Sequence, residues 1–272
     1  MPSPTNLSLV DTSHGSLAVE DNGSPGTPVV LIHGNSSCRK VFQRQFDAPF
    51  AQCRRLVAID LPGHGDSSDA SEPERTYTRS GLADALTELF EMVRIEEAII
   101  VGWSLGGHVG IDLLSRVARI KGLMIVGTPP VRNGGMAEGF NASPQYGFAG
   151  RTDLSDEDIS DFANAMLGEP VPAFLPQAIR RTDGQFRQIL FKGAHAGVGL
   201  DQRLAVEQTA VPIAVVNGAA DPLVNLNYLD GVAYGNLWDG RCHRLPDVGH
   251  APFWHKSAQF NAVLDRFLSD FA

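Results

Sequence analysis

The sequence predicts an α/β fold, a mostly parallel central sheet flanked by helices with an inserted helical cap, and three observations carry that expectation. Short apolar, β-branched runs recur along the chain, helical periodicities separate them, and over one long stretch the alternation stops. The runs are Ser16 to Glu20, Val29 to His33, Arg55 to Asp60, Ala98 to Gly102, Gly122 to Val126, Pro212 to Asn217 and Arg241 to Leu245. Several are apolar at every position, as strands covered by helices on both faces must be.

Leu82, Ala83, Leu86, Leu89, Phe90 and Val93 recur at helical spacing, as do Val109, Leu113 and Val117, so each set should lay an apolar stripe on the sheet. The last segment, Ala258 to Phe271, repeats the pattern with Phe260, Val263, Leu264, Phe267, Leu268 and Phe271 and should close one face. After Thr128-Pro129-Pro130 the strands cease. The expected division is therefore a core of residues 1–130 and 208–272, with 131–207 as the inserted cap. Within it, Ser155 stands three residues before Asp158 and should cap a helix running through Met166, stopped by Gly168 and Pro170. Phe162 and Met166 then share a face, placed to line a pocket against the core.

Composition narrows the partners. With 22 Lys+Arg against 31 Asp+Glu the net charge is 22 − 31 = −9, and no basic cluster offers a footprint for nucleic acid or an anionic membrane. A small-molecule substrate fits better. Cys38, Cys53 and Cys242 are odd in number and lack CxxC spacing, which argues against a disulfide framework or a zinc site and for a reducing cytoplasm. The first fifteen residues lack a basic start and an apolar core, so they do not read as a secretion signal. No apolar run reaches the ~18 residues that would suggest a membrane span. Monomer and homodimer are equally compatible with the sequence.

Gly102-Trp103-Ser104-Leu105-Gly106 matches G-x-S-x-G, in which glycines let a strand turn sharply into a helix and push a serine hydroxyl into the open. The flanks agree: a buried-strand run, Ala98 to Val101, precedes it and a helical start, Gly107 to Ile111, follows. A serine needs a base, and the base an orienting acid. In this motif's fold the chain order is serine, acid, histidine. Of the eight histidines, His250 is preferred because it sits in a loop between a strand and the last helix, with His255 as its competitor. His64 and His108 lie too near the strand and the elbow and read as structural. Asp221 is the acid, since it follows the Pro212 to Asn217 strand, whereas Asp230, Asp239 and Asp247 read as surface charges. For an oxyanion hole, Leu105 supplies one backbone N–H and Asn35 the other, with its side-chain amide as a further donor. The competing reading of Asn35 is a turn former. Gly34 allows close backbone approach, and Trp103 beside the serine would wall the pocket.

Taken together, His33-Gly34-Asn35-Ser36-Ser37, the Asp60 to Ser67 loop, Gly102 to Gly107, Asp221 and Gly249-His250 resemble the α/β-hydrolase superfamily over nearly the whole chain. The Asp60 to Ser67 loop looks like that superfamily's structural connection, so Asp60 and His64 are not counted as catalytic. Serine at 104 sets the chain apart from the branches that use aspartate there. At finer resolution HGNSS, DLPGHGDSSDA, GWSLGGHVGI, GLMIVGTPPV, RRTDG, PIAVVNG and GHAPF resemble the metal-independent α/β-hydrolase N-acylhomoserine lactonases. The resemblance implies the α/β-hydrolase fold, no cofactor or metal, and ring opening of a quorum-sensing lactone through Ser104, His250 and Asp221. It also implies glutamate at position 221 and a tyrosine at 162, where this chain has Asp221 and Phe162. Two other expectations remain open on sequence alone: a general hydrolase of small esters, thioesters or carbon–carbon bonds, and a lactone receptor on the same fold.

Overall fold

Eight strands, β1 (Asn6–Thr12), β2 (Gly15–Asp21), β3 (Val29–Ile32), β4 (Leu56–Ile59), β5 (Ala98–Trp103), β6 (Ile120–Val126), β7 (Ile213–Gly218) and β8 (His243–Leu245), form one sheet ordered β1-β2-β4-β3-β5-β6-β7-β8. The computed structural model describes residues 5–142 and 144–271, so the first four residues of the N-terminal stretch discussed above lie outside it. The pairs β1/β2 and β2/β4 are antiparallel, and from β4 to β8 every pair is parallel. A parallel sheet needs helical crossovers on its faces, which is why the central strands are apolar at both alternating positions.

That alternation splits the core in two. Val30, Ile32, Val57, Ile59 and Ile100 point to the side covered by helix α1 (Arg79–Met92) and helix α2 (Leu105–Leu113), where Leu82, Leu86, Leu89, Phe90, Val109 and Leu113 meet them. Their neighbours Val29, Leu31, Leu56, Ala58, Ile99 and Val101 point the other way. Each such side chain contributes about 1.5–3 kcal/mol by leaving water.

Between β6 and β7 lie α3 (Asp156–Leu167), α4 (Phe174–Arg181), α5 (Gly184–His195) and α6 (Gln202–Gln208), with short helices at Met136–Gly139 and Pro144–Phe148. Among the described residues this stretch contains no strand, only a single antiparallel bridge from Phe140 to Val224. Ser155 caps α3 as a reciprocal box: its Oγ accepts from the Asp158 N–H at 3.1 Å while Asp158 Oδ2 accepts from the Ser155 N–H at 2.8 Å. Gly168, at φ 76°, ends the helix. The chain rejoins the core at α6, where Val206 is fully buried among α1 and α2 side chains. The terminal helix α7 (Ser257–Phe271) lays Phe260, Leu264, Phe267 and Leu268 on the second face.

Two elements differ from expectation. Strand β1 was not among the expected runs; its Leu7 and Leu9 face water at 60% and 64% exposure, so its alternation reflects no core. Helix α2 stops at Leu113, short of Val117, where Ser115 Oγ and the Arg116 guanidinium both bond the carbonyl of Asp112. No helix among the described residues is long and apolar enough to cross a membrane.

Candidate active site

Parallel strands deliver their C-terminal ends to one edge, and the register fixes which loops meet there. Ile32 pairs with Gly102 and Trp103 with Val126, so the loops after β3, β5 and β6 emerge side by side. Ser104 sits between β5 and α2 at φ 52°, ψ −115°, a conformation that costs a side-chain-bearing residue about 1–3 kcal/mol. Gly106 makes the turn passable: a Cβ there would lie 2.0 Å from the carbonyl oxygen of Ile32. The turn is pinned by the Ser104 N–H donating to Val126 O at 2.7 Å and by Thr128 Oγ1, 2.9 Å from Ser104 O. Ser104 lines a cavity between the sheet edge and the β6–β7 helices. Its hydroxyl makes no hydrogen bond among the described residues, including to His250, which lines the same cavity. Such bonds are often long before substrate binds.

His250 and Asp221 are in direct contact. The imidazole Nδ1–H donates to Asp221 Oδ2 at 2.7 Å, with both side chains almost wholly buried. Asp221 is an acceptor only, so this bond fixes the tautomer and leaves Nε2 as the basic nitrogen. The other carboxylate oxygen accepts from the N–H groups of Leu223 at 2.9 Å and Val224 at 3.2 Å, so the acid cannot swing away. The ring is seated by Gly127, at φ 61°, where a Cβ would approach His250 Cε1 to 2.5 Å. Trp103 holds the same loop from the other side, its Nε1–H donating to the His250 carbonyl at 3.0 Å.

The loop after β3 faces the elbow. Gly34 packs so closely that a Cβ would lie 3.2 Å from Ser104 Cβ. Leu105 is the first residue of α2, so its N–H has no acceptor within the helix and carries the positive end of the helix dipole. Asn35 lines the cavity with one N–H of its side-chain amide committed: Nδ2 donates to Ala149 O at 2.9 Å, while Oδ1 accepts from Ser36 Oγ at 2.9 Å. The backbone N–H of Asn35 and the second Nδ2 hydrogen are therefore the donors to consider. Two buried histidines brace this loop. His33 Nε2 accepts from the Leu61 N–H at 3.0 Å, and His64 Nε2 accepts from the Ser36 N–H at 3.1 Å. Burial lowers the pKa of both, most for His64, whose value His33 and two arginines lower further.

Trp103, Phe162 and Met166 all line the cavity, as the sequence suggested. Phe191 of α5 lines it as well; sequence reasoning did not find Arg79, Phe140 or Tyr146 there, because they come from three separate elements that no local motif links. His108 also lines it, while being held by Gln202. Its place four residues after Ser104, one turn along the same helix, was the available signal. The remaining candidates are elsewhere. His255 meets Gly168 O at 3.3 Å outside the cavity, while Asp230 and Asp239 form ion pairs with Arg244 and with Arg241 and Arg266. Asp60 is buried beneath Arg39 and accepts from the N–H groups of Arg39 and Asp66. Among the described residues no group of three or more His, Cys, Asp or Glu side chains is placed to hold a metal ion.

Comparison with known proteins agrees with this fold. A family model described as the alpha/beta hydrolase family matches residues 29–263. The pimeloyl-[acyl-carrier protein] methyl ester esterase of Aromatoleum aromaticum is 31% identical over 216 residues, covering 73% of this chain and 81% of that protein. Among solved structures, a point mutant of the N-acyl homoserine lactonase AidH in complex with N-hexanoyl homoserine has a TM-score of 0.97 and 42% identity over 99% of this chain and 98% of its own. The same lactonase with N-butanoyl homoserine gives 0.96 and 42%, covering 97% of each chain.

Proposed function

Because this chain belongs to the α/β-hydrolase family, and is with it a hydrolase of ester bonds, we propose that it opens the lactone ring of N-acylhomoserine lactones through Ser104, His250 and Asp221. The observation that carries the proposal is the 2.7 Å contact between His250 Nδ1 and Asp221 Oδ2 in the cavity that also holds Ser104. The 42% identity to a lactonase over 99% of the chain supports the substrate class.

In this reading His250 Nε2 takes the Ser104 proton as the oxygen attacks the lactone carbonyl, and Asp221 stabilises the imidazolium. The backbone N–H groups of Leu105 and Asn35 hold the oxyanion. The ring oxygen leaves and takes the proton back from His250, staying tethered as the homoserine hydroxyl. Water, deprotonated by the same nitrogen, then releases the hydroxy acid. Residues 131–207 act as the cap, with Phe162 and Met166 of α3 and Leu190 and Phe191 of α5 receiving the acyl chain. Phe162 brings no hydroxyl to the lactone. The three cysteines are free, which fits an enzyme of the reducing cytoplasm.

The test is mass spectrometry of N-butanoyl and N-hexanoyl homoserine lactones with the wild-type protein and Ser104→Ala. Gain of one water with the amide intact, reduced by at least about 10³-fold in the variant, is the expected result. Lactone opening retained in the variant overturns the nucleophile. Cleavage of simple esters without lactone opening overturns the substrate and favours an esterase.

A further inference from the structure

The cavity that the α3 and α5 aromatics line also carries two polar groups that the reaction above does not use. His108 lies on α2 four residues beyond Ser104, a rise of about 6 Å along the helix. Its Nδ1 is 2.6 Å from Gln202 Oε1, while the Gln202 amide nitrogen donates to the His108 carbonyl at 2.8 Å and to Asp112 Oδ1 at 2.7 Å. Both amide hydrogens are thus committed, so Oε1 must be accepting and Nδ1 must carry the ring proton. The remaining nitrogen, Nε2, is an acceptor with no hydrogen-bond partner among the described residues, on a side chain that lines the cavity. Burial and the nearby Arg79 charge lower the pKa of the ring to about 4, so it stays neutral.

Arg79 is the complement. It too lines the cavity, and no carboxylate among the described residues lies within 4.0 Å of its guanidinium. Only Nη2 is engaged, with the carbonyls of Val198 and Leu200 at 3.3 Å each, which leaves Nε and Nη1 as unpaired donors. The Asp112 and Asp201 carboxylates offset the Arg79 charge from beyond ion-pair distance, yet its free N–H groups and the free His108 acceptor in a mostly apolar pocket disfavour a plain alkyl chain, which strips water from both and replaces nothing.

We propose that Arg79 and His108 form a specificity subsite for a hydroxyl group on the acyl chain, within the first few carbons beyond the amide. A hydroxyl is both donor and acceptor, so it donates to His108 Nε2 and accepts from Arg79. An oxo group pairs with Arg79 alone and leaves His108 facing a lone pair. This inference rests on the lactonase reading for its substrate but not for its chemistry.

The test compares kcat/KM for 3-hydroxy, 3-oxo and unsubstituted N-acylhomoserine lactones of equal chain length, alongside p-nitrophenyl esters of the corresponding hydroxylated and plain acids. Wild type should favour the hydroxylated chain over the plain one by about tenfold or more, with the oxo chain between. His108→Asn keeps a donor for Gln202 Oε1 while deleting Nε2, and Arg79→Met keeps the stem while deleting the donors. Each should bring the hydroxyl-to-plain ratio close to one while turnover of the plain chain persists, a change that general damage to the fold does not produce. A wild-type ratio near one, or a ratio unchanged in both variants, overturns the subsite. A hydroxyl preference seen on the esters without any lactone opening supports the subsite and removes the lactonase reading.

Discussion

Asp221 is where a single atom decides the outcome. Its Oδ2 holds the His250 ring in the tautomer that exposes a basic Nε2, and its Oδ1 is tied to two backbone N–H groups. An asparagine keeps the shape and offers an N–H where the ring also presents one, so the imidazole must turn over. Asp221→Asn should therefore lower kcat on the order of 10³–10⁴-fold with the melting temperature little changed. A loss of tenfold or less would mean that His250 is oriented by something else. That contact was legible in the chain because Asp221 and His250 each follow a strand at a recognisable turn. The Trp103 bond to the His250 carbonyl was not, since a 3.0 Å contact between residues 147 positions apart leaves no trace in local pattern.

At the scale of elements, the central strands and α1, α2, α3 and α7 were legible, for period and burial coincide there. Helix α3 is the clearest case, its start written in Ser155 and Asp158 and its stop in Gly168. Ser155→Ala removes the cap acceptor and should cost about 1 kcal/mol, visible as a lower midpoint in urea; because α3 carries Phe162 and Met166, KM should rise with it. An unchanged midpoint would show that tertiary packing alone holds the helix. Strand β1 stayed hidden because its leucines face water. The cavity wall formed by Arg79, Phe140 and Tyr146 stayed hidden for another reason: it exists only once α1 and two shorter segments are folded around the elbow. Reading His108 as structural captures its bond to Gln202 and leaves out that it also lines the cavity.

For the whole molecule, the buried histidines set the response to acid. The pKa values of His33, His64 and His108 are lowered in the folded chain, chiefly by burial, so the unfolded chain binds protons that the folded one refuses. Stability is then full above the ordinary imidazole value of about 6.5 and drains as pH falls, for His108 down to about 4. Each histidine in that window contributes a slope of about 1.4 kcal/mol per pH unit. Urea denaturation at pH 7.5, 6 and 5 should show falling free energies of unfolding, and a flat profile would contradict the assigned neutral tautomers.

The twist at Ser104 also bears on how such a protein is inherited. The proposed nucleophile is held in one of the least comfortable backbone geometries in the chain, at φ 52° and ψ −115°, where glycine would rest without penalty. A change to glycine would release about 1–3 kcal/mol and end the chemistry in the same step. Only continued demand for turnover keeps a serine there. In a lineage that no longer needs the reaction, this is the position where drift and thermodynamics pull the same way, and the first at which a silent descendant would be recognised.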